Sequence, residues 1–565
     1  MKSIKENLSG MSINPKLTVL SLSLGVVLIS GCSMNQSNMD HQANDIVVET
    51  APAMPSPSPM PQAKRLSKAS IMPASATLSS GMVVPREGSR NIASNTEKYQ
   101  SNETNPVKAV AQEPVSTFSV DVDTGSYSNV RRFLNHEGRL PPVDAVRIEE
   151  LINYFPYQYP QVKSAHPFTV NTETVDSPWQ ENAKVIRIGI KANDIEYKEL
   201  PAANLVFLVD VSGSMNQDNK LPLVKRTLRI LTEQLRPQDK VTIVTYSSGE
   251  QVVLEPTSGR DKDKILKVIN SLQASGATSG ERAIQMAYEQ AQKSLIKNGI
   301  NRILIATDGD FNVGITDFNT LKGMIAEKRK SGISFTALGY GTGNYNEQLM
   351  EQLADAGDGN YSYIDNENEA KKVVQRQISS TLATVAQDVK IQVEFNPAKV
   401  KEYRLIGYEN RMLKQEDFNN DKVDAGDIGA GHTVTALYEI IPVGQKGWLN
   451  DSRYKSVAPN NKAQSNELAF LNLRYKQPNQ TKSILLSQPI LNQAKKINQA
   501  SADTQFAIAV ASYGQQLKGG QYNGSVNWDG ILKMAESSRY QDQFGMKSEF
   551  VDLVKTAKSL SAKQN

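Results

Sequence analysis

From Asn204 onward the chain alternates short, nearly unbroken apolar runs with stretches in which apolar residues recur every three or four positions. The runs at 205–209, 240–246, 302–306, 333–338 and 361–364 predict strands buried on both faces. The periodic stretches at 221–235, 262–272, 280–296, 318–330, 346–356 and 367–383 predict helices. Strands without alternation, separated by amphipathic helices, make a mostly parallel sheet covered on both faces. Residues 200–385 therefore read as a doubly wound α/β domain.

On either side of that domain the pattern changes to alternation. Phe118, Val120 and Val122 alternate, residues 130–153 carry a helical spacing broken at Pro141-Pro142, and 168–175 and 185–191 read as strands, the second with Ile186, Ile188 and Ile190 on one face. After residue 386, Val389, Ile391, Val393 and Phe395 share a face, and strand-like stretches follow at 404–408, 433–440 and 468–475. Each set has one wet face and is too small to bury the other alone. The two are expected to join in one β-rich domain, built from N- and C-terminal segments, into which the α/β domain is inserted. By segment this gives an N-terminal α+β region (116–199), an antiparallel β region (386–500) and a C-terminal helical region (501–565) with periodic stretches at 504–517, 530–537 and 550–560.

The first 115 residues carry one apolar run. Lys2, Lys5 and Lys16 lead into residues 17–29, about 13 residues where spanning a bilayer takes about 20, so 1–31 reads as a signal peptide, with Met11 as an alternative start. The run ends in Ile29-Ser30-Gly31-Cys32, which resembles the lipobox of bacterial lipoproteins. That resemblance implies cleavage before Cys32, palmitate-type acylation there and a lipid anchor in the cell envelope; Ser33, in place of the aspartate of inner-membrane retention, implies the outer membrane. Residues 32–115, rich in Ser, Asn, Ala, Met and Pro, are expected to be a disordered tether reaching on the order of 50 Å.

Composition narrows the chemistry. A length of 565 residues predicts several domains, and a net charge of +4 argues against nucleic acid as partner. A single cysteine excludes intramolecular disulfides, cysteine-ligated zinc and iron–sulfur clusters. The four histidines, His41, His136, His166 and His432, form no i,i+4 pair, which argues against a histidine metal site or a catalytic triad.

In open α/β sheets ligands sit beyond the carboxyl ends of the strands. Asp210-Val211-Ser212-Gly213-Ser214 follows the first apolar run, Thr307-Asp308-Gly309 follows the third, and Gly276-Ala277-Thr278-Ser279-Gly280 opens a helix between them. Two carboxylates and three hydroxyls converging at one edge suit Mg²⁺, with Mn²⁺ or Ca²⁺ as alternatives. In the absence of an ion the carboxylates of Asp210 and Asp308 are expected to repel, with little nearby to offset them. The set Asp210-x-Ser212-x-Ser214, Thr278 and Asp308 resembles the metal-ion-dependent adhesion site of von Willebrand factor type A domains, whose fold is Rossmann-like. The resemblance implies that serines and threonine touch the metal, that the aspartates act directly or through water, and that an acidic residue of a protein ligand completes the coordination. Residues 116–127, Asn153-Tyr154-Phe155-Pro156-Tyr157, the stretch from Asn344 to Glu351 and the stretch from Phe418 to Gly426 resemble the bacterial YfbK-like lipoproteins, a likeness running from Ser116 to the C-terminus.

Rival motifs are incomplete. Asp123-Thr124-Gly125 mimics an aspartic protease, but no second such motif supplies the partner carboxylate. Gly339, Gly341 and Gly343 have the wrong spacing for a dinucleotide loop and predict a tight turn. The loop from Asp417 to Asp421 lacks the glycine and glutamate of a calcium loop and predicts an Asx-rich turn. The expected function is metal-dependent binding of a protein, or a glycan, and not catalysis; the alternatives are an envelope hydrolase and a metal-independent scaffold.

Overall fold

The computed structural model describes residues 96–161, 165–278, 281–309, 318–376, 383–450, 466–478, 480–542 and 545–564. Cys32, the signal peptide and residues 32–95 of the expected tether lie outside them. The N-terminal part holds β1 (Lys108–Ala109), β2 (Val115–Ser119), α1 (Gly125–Asn135), α2 (Ile148–Asn153), β3 (Phe168–Asp176) and β4 (Lys184–Ala192). The central part runs β5 (Ala203–Asp210), α3 (Leu221–Gln234), β6 (Lys240–Tyr246), β7 (Glu250–Ser258), α4 (Lys262–Ser271), α5 (Glu281–Lys293), β8 (Ile300–Thr307), α6 (Phe318–Lys328), β9 (Ser334–Gly339), α7 (Glu347–Ala356), β10 (Tyr361–Tyr363) and α8 (Glu367–Arg376). After it come β11 (Thr384–Phe395), β12 (Val400–Ile406), β13 (Ile428–Gly429), β14 (Thr433–Pro442), β15 (Glu467–Lys476), β16 (Ser483–Leu491), α9 (Ala502–Leu517), α10 (Trp528–Ser537) and α11 (Met546–Gln564).

The central sheet has the order β10-β9-β8-β5-β6-β7, parallel throughout except for β7. Every residue of β5 is buried. Leu205, Phe207 and Val209 face one core with α3, α4 and α8, while Val206 and Leu208 face the other with α5, α6 and α7. A strand with both faces covered cannot alternate, which is why its sequence reads as a continuous run.

The flanking segments share their cores. β4 pairs with β14 from Thr433↔Lys191 to Ile440↔Lys184, and β2 pairs with β11, so strands from both sides of the central domain join one β structure, as expected. One sheet runs β1-β12-β14-β4-β3 and packs through Ile186, Ile188 and Ile190 on a second, β13-β11-β15-β16. Its other face, with Val185 and Leu437, is covered by α1, α2, α9, α10 and α11, so N-terminal and C-terminal helices form one layer.

Two features depart from expectation. Ordered chain begins within the expected tether: Thr96 N donates to Gly343 O at 2.8 Å, Lys98 N to Tyr345 O at 2.9 Å, β1 pairs with β12, and Val110 is buried. This strap is fixed by backbone bonds and by Glu97 on Arg132, so it has no apolar period to read. Strands β7 and β16 were not foreseen, because each is an edge strand with a largely exposed face. The turn from Asp417 to Asp421 is Asx-stabilised as expected, with Asn420 Oδ1 accepting from Lys422 N at 3.0 Å, and Lys390 Nζ donates to the carbonyls of Asp417 and Asn420.

The central domain is seated on the flanking unit by buried arginines. Arg131 pairs with Glu369 (2.8 Å) and Arg147 with Glu347 (2.9 Å) and Glu351. Arg411 meets Asp123 (3.0 Å), Glu351 (3.2 Å), Asp121 (3.3 Å) and Asp355 (2.6 Å). Asp123 also accepts from Tyr361 N at 2.9 Å, which makes it a docking residue, buried and fully engaged.

Candidate metal centre

Chain order reverses beside β5: β6 and β7 lie on one side of it, β8, β9 and β10 on the other. Crevices in open α/β sheets form at such reversals. Asp210 ends β5, Asp308 follows β8, and both are fully buried.

The turn after β5 is pinned along its backbone. Val211 N donates to Tyr246 O and Gly213 N to Gly276 O, each at 2.9 Å, and Ser275 N donates to Val211 O at 2.7 Å. A Cβ on Gly213 would sit 3.3 Å from Gly276 O, so the close approach of the two backbones favours glycine there. Asp210 Oδ1 accepts from Ser212 N and Oδ2 from Thr307 Oγ1, both at 2.9 Å. Burial, and after it the charge of Asp308, push the Asp210 carboxyl up to about 6 against those bonds.

The hydroxyls are oriented. Ser214 Oγ donates to Asp308 Oδ2 at 2.9 Å. With that proton committed, the 3.0 Å contact between Ser212 Oγ and Ser214 Oγ has Ser212 as donor. The Ser214 proton therefore points to Asp308 and the Ser212 proton to Ser214, and both hydroxyl oxygens are hard donors of the kind a divalent cation takes. The donor set fits a divalent ion of the Mg²⁺ type. Among the described residues no group of three or more His, Cys, Asp or Glu is arranged to hold a metal.

Asp210, Ser212, Ser214 and Asp308 thus form one hydrogen-bonded cluster. Thr278 is buried at the end of the loop packed on the same turn, where the loop backbone, through Ser275 and Gly276, makes the bonds. Three further residues complete the cluster: Thr307 on Asp210, and Lys220 and Asn344 on Asp308, with Lys220 Nζ donating to Asp308 Oδ2 at 2.9 Å and Asn344 Nδ2 to the same oxygen at 3.2 Å. Lys220 corrects the expectation of uncompensated repulsion: a buried ammonium offsets one of the two carboxylates. The tight turn at Gly339–Gly343 serves this contact, because a Cβ on Gly341 would lie 2.3 Å from Lys220 Cε. A lysine beginning a helix is the one trace of this in sequence, since cations are disfavoured at that end.

Three family models match the chain: "von Willebrand factor type A domain" over residues 204–377, "von Willebrand factor" over 93–187, and "Uncharacterized protein YfbK, C-terminal" over 380–560. The uncharacterized protein YfbK of Escherichia coli strain K12 is 47% identical over 474 residues, 82% of this chain and 81% of that one. The uncharacterized protein sll0103 of Synechocystis is 25% identical over 36% of this chain and 47% of its own length. Among solved structures, a von Willebrand factor type A protein from Catenulispora acidiphila aligns with 69% of this chain and 91% of its own, at 15% identity and a TM-score of 0.38. Among the described residues no helix is long and apolar enough to cross a membrane.

Proposed function

The chain belongs to the YfbK family and carries a von Willebrand factor type A domain, and from that premise we propose that it is a cell-envelope protein that binds a protein ligand through a divalent cation. The cation is held by Asp210, Ser212, Ser214, Thr278 and Asp308, with Mg²⁺ the first choice, and the ligand supplies an acidic side chain. The observation that carries this reading is the hydrogen-bonded run from Ser212 through Ser214 to Asp308, which gathers two hydroxyl oxygens and a carboxylate at the turn that Asp210 pins. Such a cation supplies a Lewis-acidic position for a carboxylate. The protein's part is to fix the turn through Asp210 and to hold the two serine oxygens in register with Asp308. We read the site as a binding site and not a catalytic one, since Asp123, the other candidate acid, is occupied by Arg411 and Tyr361. The basic and apolar N-terminal stretch ending at Cys32 supports export and an acyl anchor, with the outer membrane as destination.

Calorimetry with Mg²⁺, Mn²⁺ and Ca²⁺ tests the reading. An ion bound only by the native state adds about 2.7 kcal/mol of stability at 100 times its Kd. Asp308→Ala should abolish most of that gain. Thr278→Ala should weaken Mg²⁺-dependent capture of envelope protein more than it weakens the fold. No divalent binding at millimolar concentration, or equal stabilisation of wild type and Asp308→Ala, would refute it.

A further inference from the structure

A helix N-terminus carries about half a positive charge, so a lysine there is electrostatically misplaced unless an anion holds it. Lys220 is the N-cap of α3 and only 2% exposed. Its ammonium donates to Asp308 Oδ2 at 2.9 Å and to Asn344 Oδ1 at 3.0 Å. The stem reaches them across Gly341, whose φ of +81° and missing side chain leave the passage open. A surface lysine pairing by chance would need no such path. Asp308 Oδ2 thereby accepts from Ser214, Lys220 and Asn344 at once.

We propose that Lys220 is the resident cation of this centre: it holds the carboxylate cluster together when no metal is present, and its charge sets how weakly a divalent ion is taken up. The second half rests on the metal-site reading above; the first does not. Lys220 is a positioning residue, acting through Asp308 and Asn344. A divalent ion drawn to Asp308 must approach a fixed positive charge on the same carboxylate, and removing that charge should raise metal affinity on the order of tenfold to a hundredfold.

The test uses the full chain and Lys220→Met, with Mn²⁺ binding read by calorimetry and by the loss of the free-ion electron paramagnetic resonance signal. The variant should melt lower than wild type without metal, bind Mn²⁺ more tightly, and gain more stability from it. Mn²⁺ affinity equal to or below that of wild type overturns the proposal while leaving the metal-site reading intact. Mn²⁺ binding by Lys220→Met but not by wild type supports the proposal and ends the metal-site reading for the native protein. Binding by neither overturns the metal-site reading and the second half of the proposal, and a metal-free Lys220→Met that melts no lower than wild type overturns the first half. Should Lys220→Met fail to fold without metal, the double variant Lys220→Met/Asp308→Asn removes both charges and should fold. If the double variant fails as well, Lys220 acts through packing, and the proposal is wrong.

Discussion

Replacing Arg411 with methionine keeps much of the stem and removes one positive charge from a buried cluster. The guanidinium stands 3.3 Å or less from Asp121, Asp123, Glu351 and Asp355, which come from the segment after β2 and from α7. Burial opposes its charge, yet those four carboxylates outweigh burial and hold the guanidinium well above its ordinary range. Without it the cluster must take up about one proton or carry an uncompensated charge. Protonating an aspartate of ordinary pKa costs about 4 kcal/mol at pH 7 and about 1.5 kcal/mol at pH 5. The pH 7 figure falls within the ~3–5 kcal/mol measured when one member of a buried ion pair is removed. The native variant then binds one proton more than its unfolded chain, so its deficit grows with pH by about 1.4 kcal/mol per unit. Urea unfolding at pH 5, 6 and 7, followed by circular dichroism and tryptophan fluorescence, measures this. Trp179, Trp448 and Trp528 all lie outside the type A domain, so fluorescence isolates the flanking unit. A deficit under 1 kcal/mol at pH 7, or one that does not change with pH, would show that the charges do not seat the domain.

Two buried glutamates give opposite pH signatures. Burial, with the charges of Glu409 and Asp121 added, raises Glu149 to about 8, so its contribution is complete below about pH 4.5 and lost as pH rises through about 8. Glu149→Gln should remove about 3 kcal/mol of the destabilisation that accrues between pH 6 and pH 9, seen in urea unfolding at those two values; an unchanged difference would count against it. Burial raises Glu369 too, but the charges of Lys372 and Arg131 and the Tyr154 bond outweigh it and bring it down to about 2. Its contribution is therefore present above about pH 4.5 and lost as pH falls through about 2. Glu369→Gln should cost about 3 kcal/mol at pH 7 and little at pH 2, and an equal cost at both would refute the assignment.

What the sequence disclosed follows from which forces leave a period. β5 is legible because both of its faces are covered, so its residues 205–209 form an apolar run, and Asp210 is legible because it stands where that run ends. The shared β structure is legible because Ile186, Ile188 and Ile190 alternate as one-sided strands do. β7 is not, since an exposed edge strand needs few apolar residues. The strap from Thr96 to Gln100 is held by hydrogen bonds, and hydrogen bonding of the backbone leaves no mark on composition. Arg131, Arg132, Arg147 and Arg411 look like surface charges in the sequence but are largely buried. Their partners lie up to hundreds of residues away, and charge pairing has no period at all.

Helix α7 ties these two layers of organisation together. Its N-cap Asn346 accepts from Leu349 N, and two residues earlier Asn344 donates to Asp308 in the candidate metal centre. Its body carries Glu347, Glu351 and Asp355, which Arg147 and Arg411 hold. An apolar interface would let the domain slide with little change in energy, whereas each carboxylate here has a discrete arginine partner. Moving α7 by even a fraction of a turn would break several buried ion pairs together, each costly to leave open. The arginines of the flanking unit therefore fix the position of Asn344, and through Asn344 and Lys220 the orientation of the Asp308 carboxylate. This gives the flanking segments a physical role in the centre that their separate positions along the chain conceal.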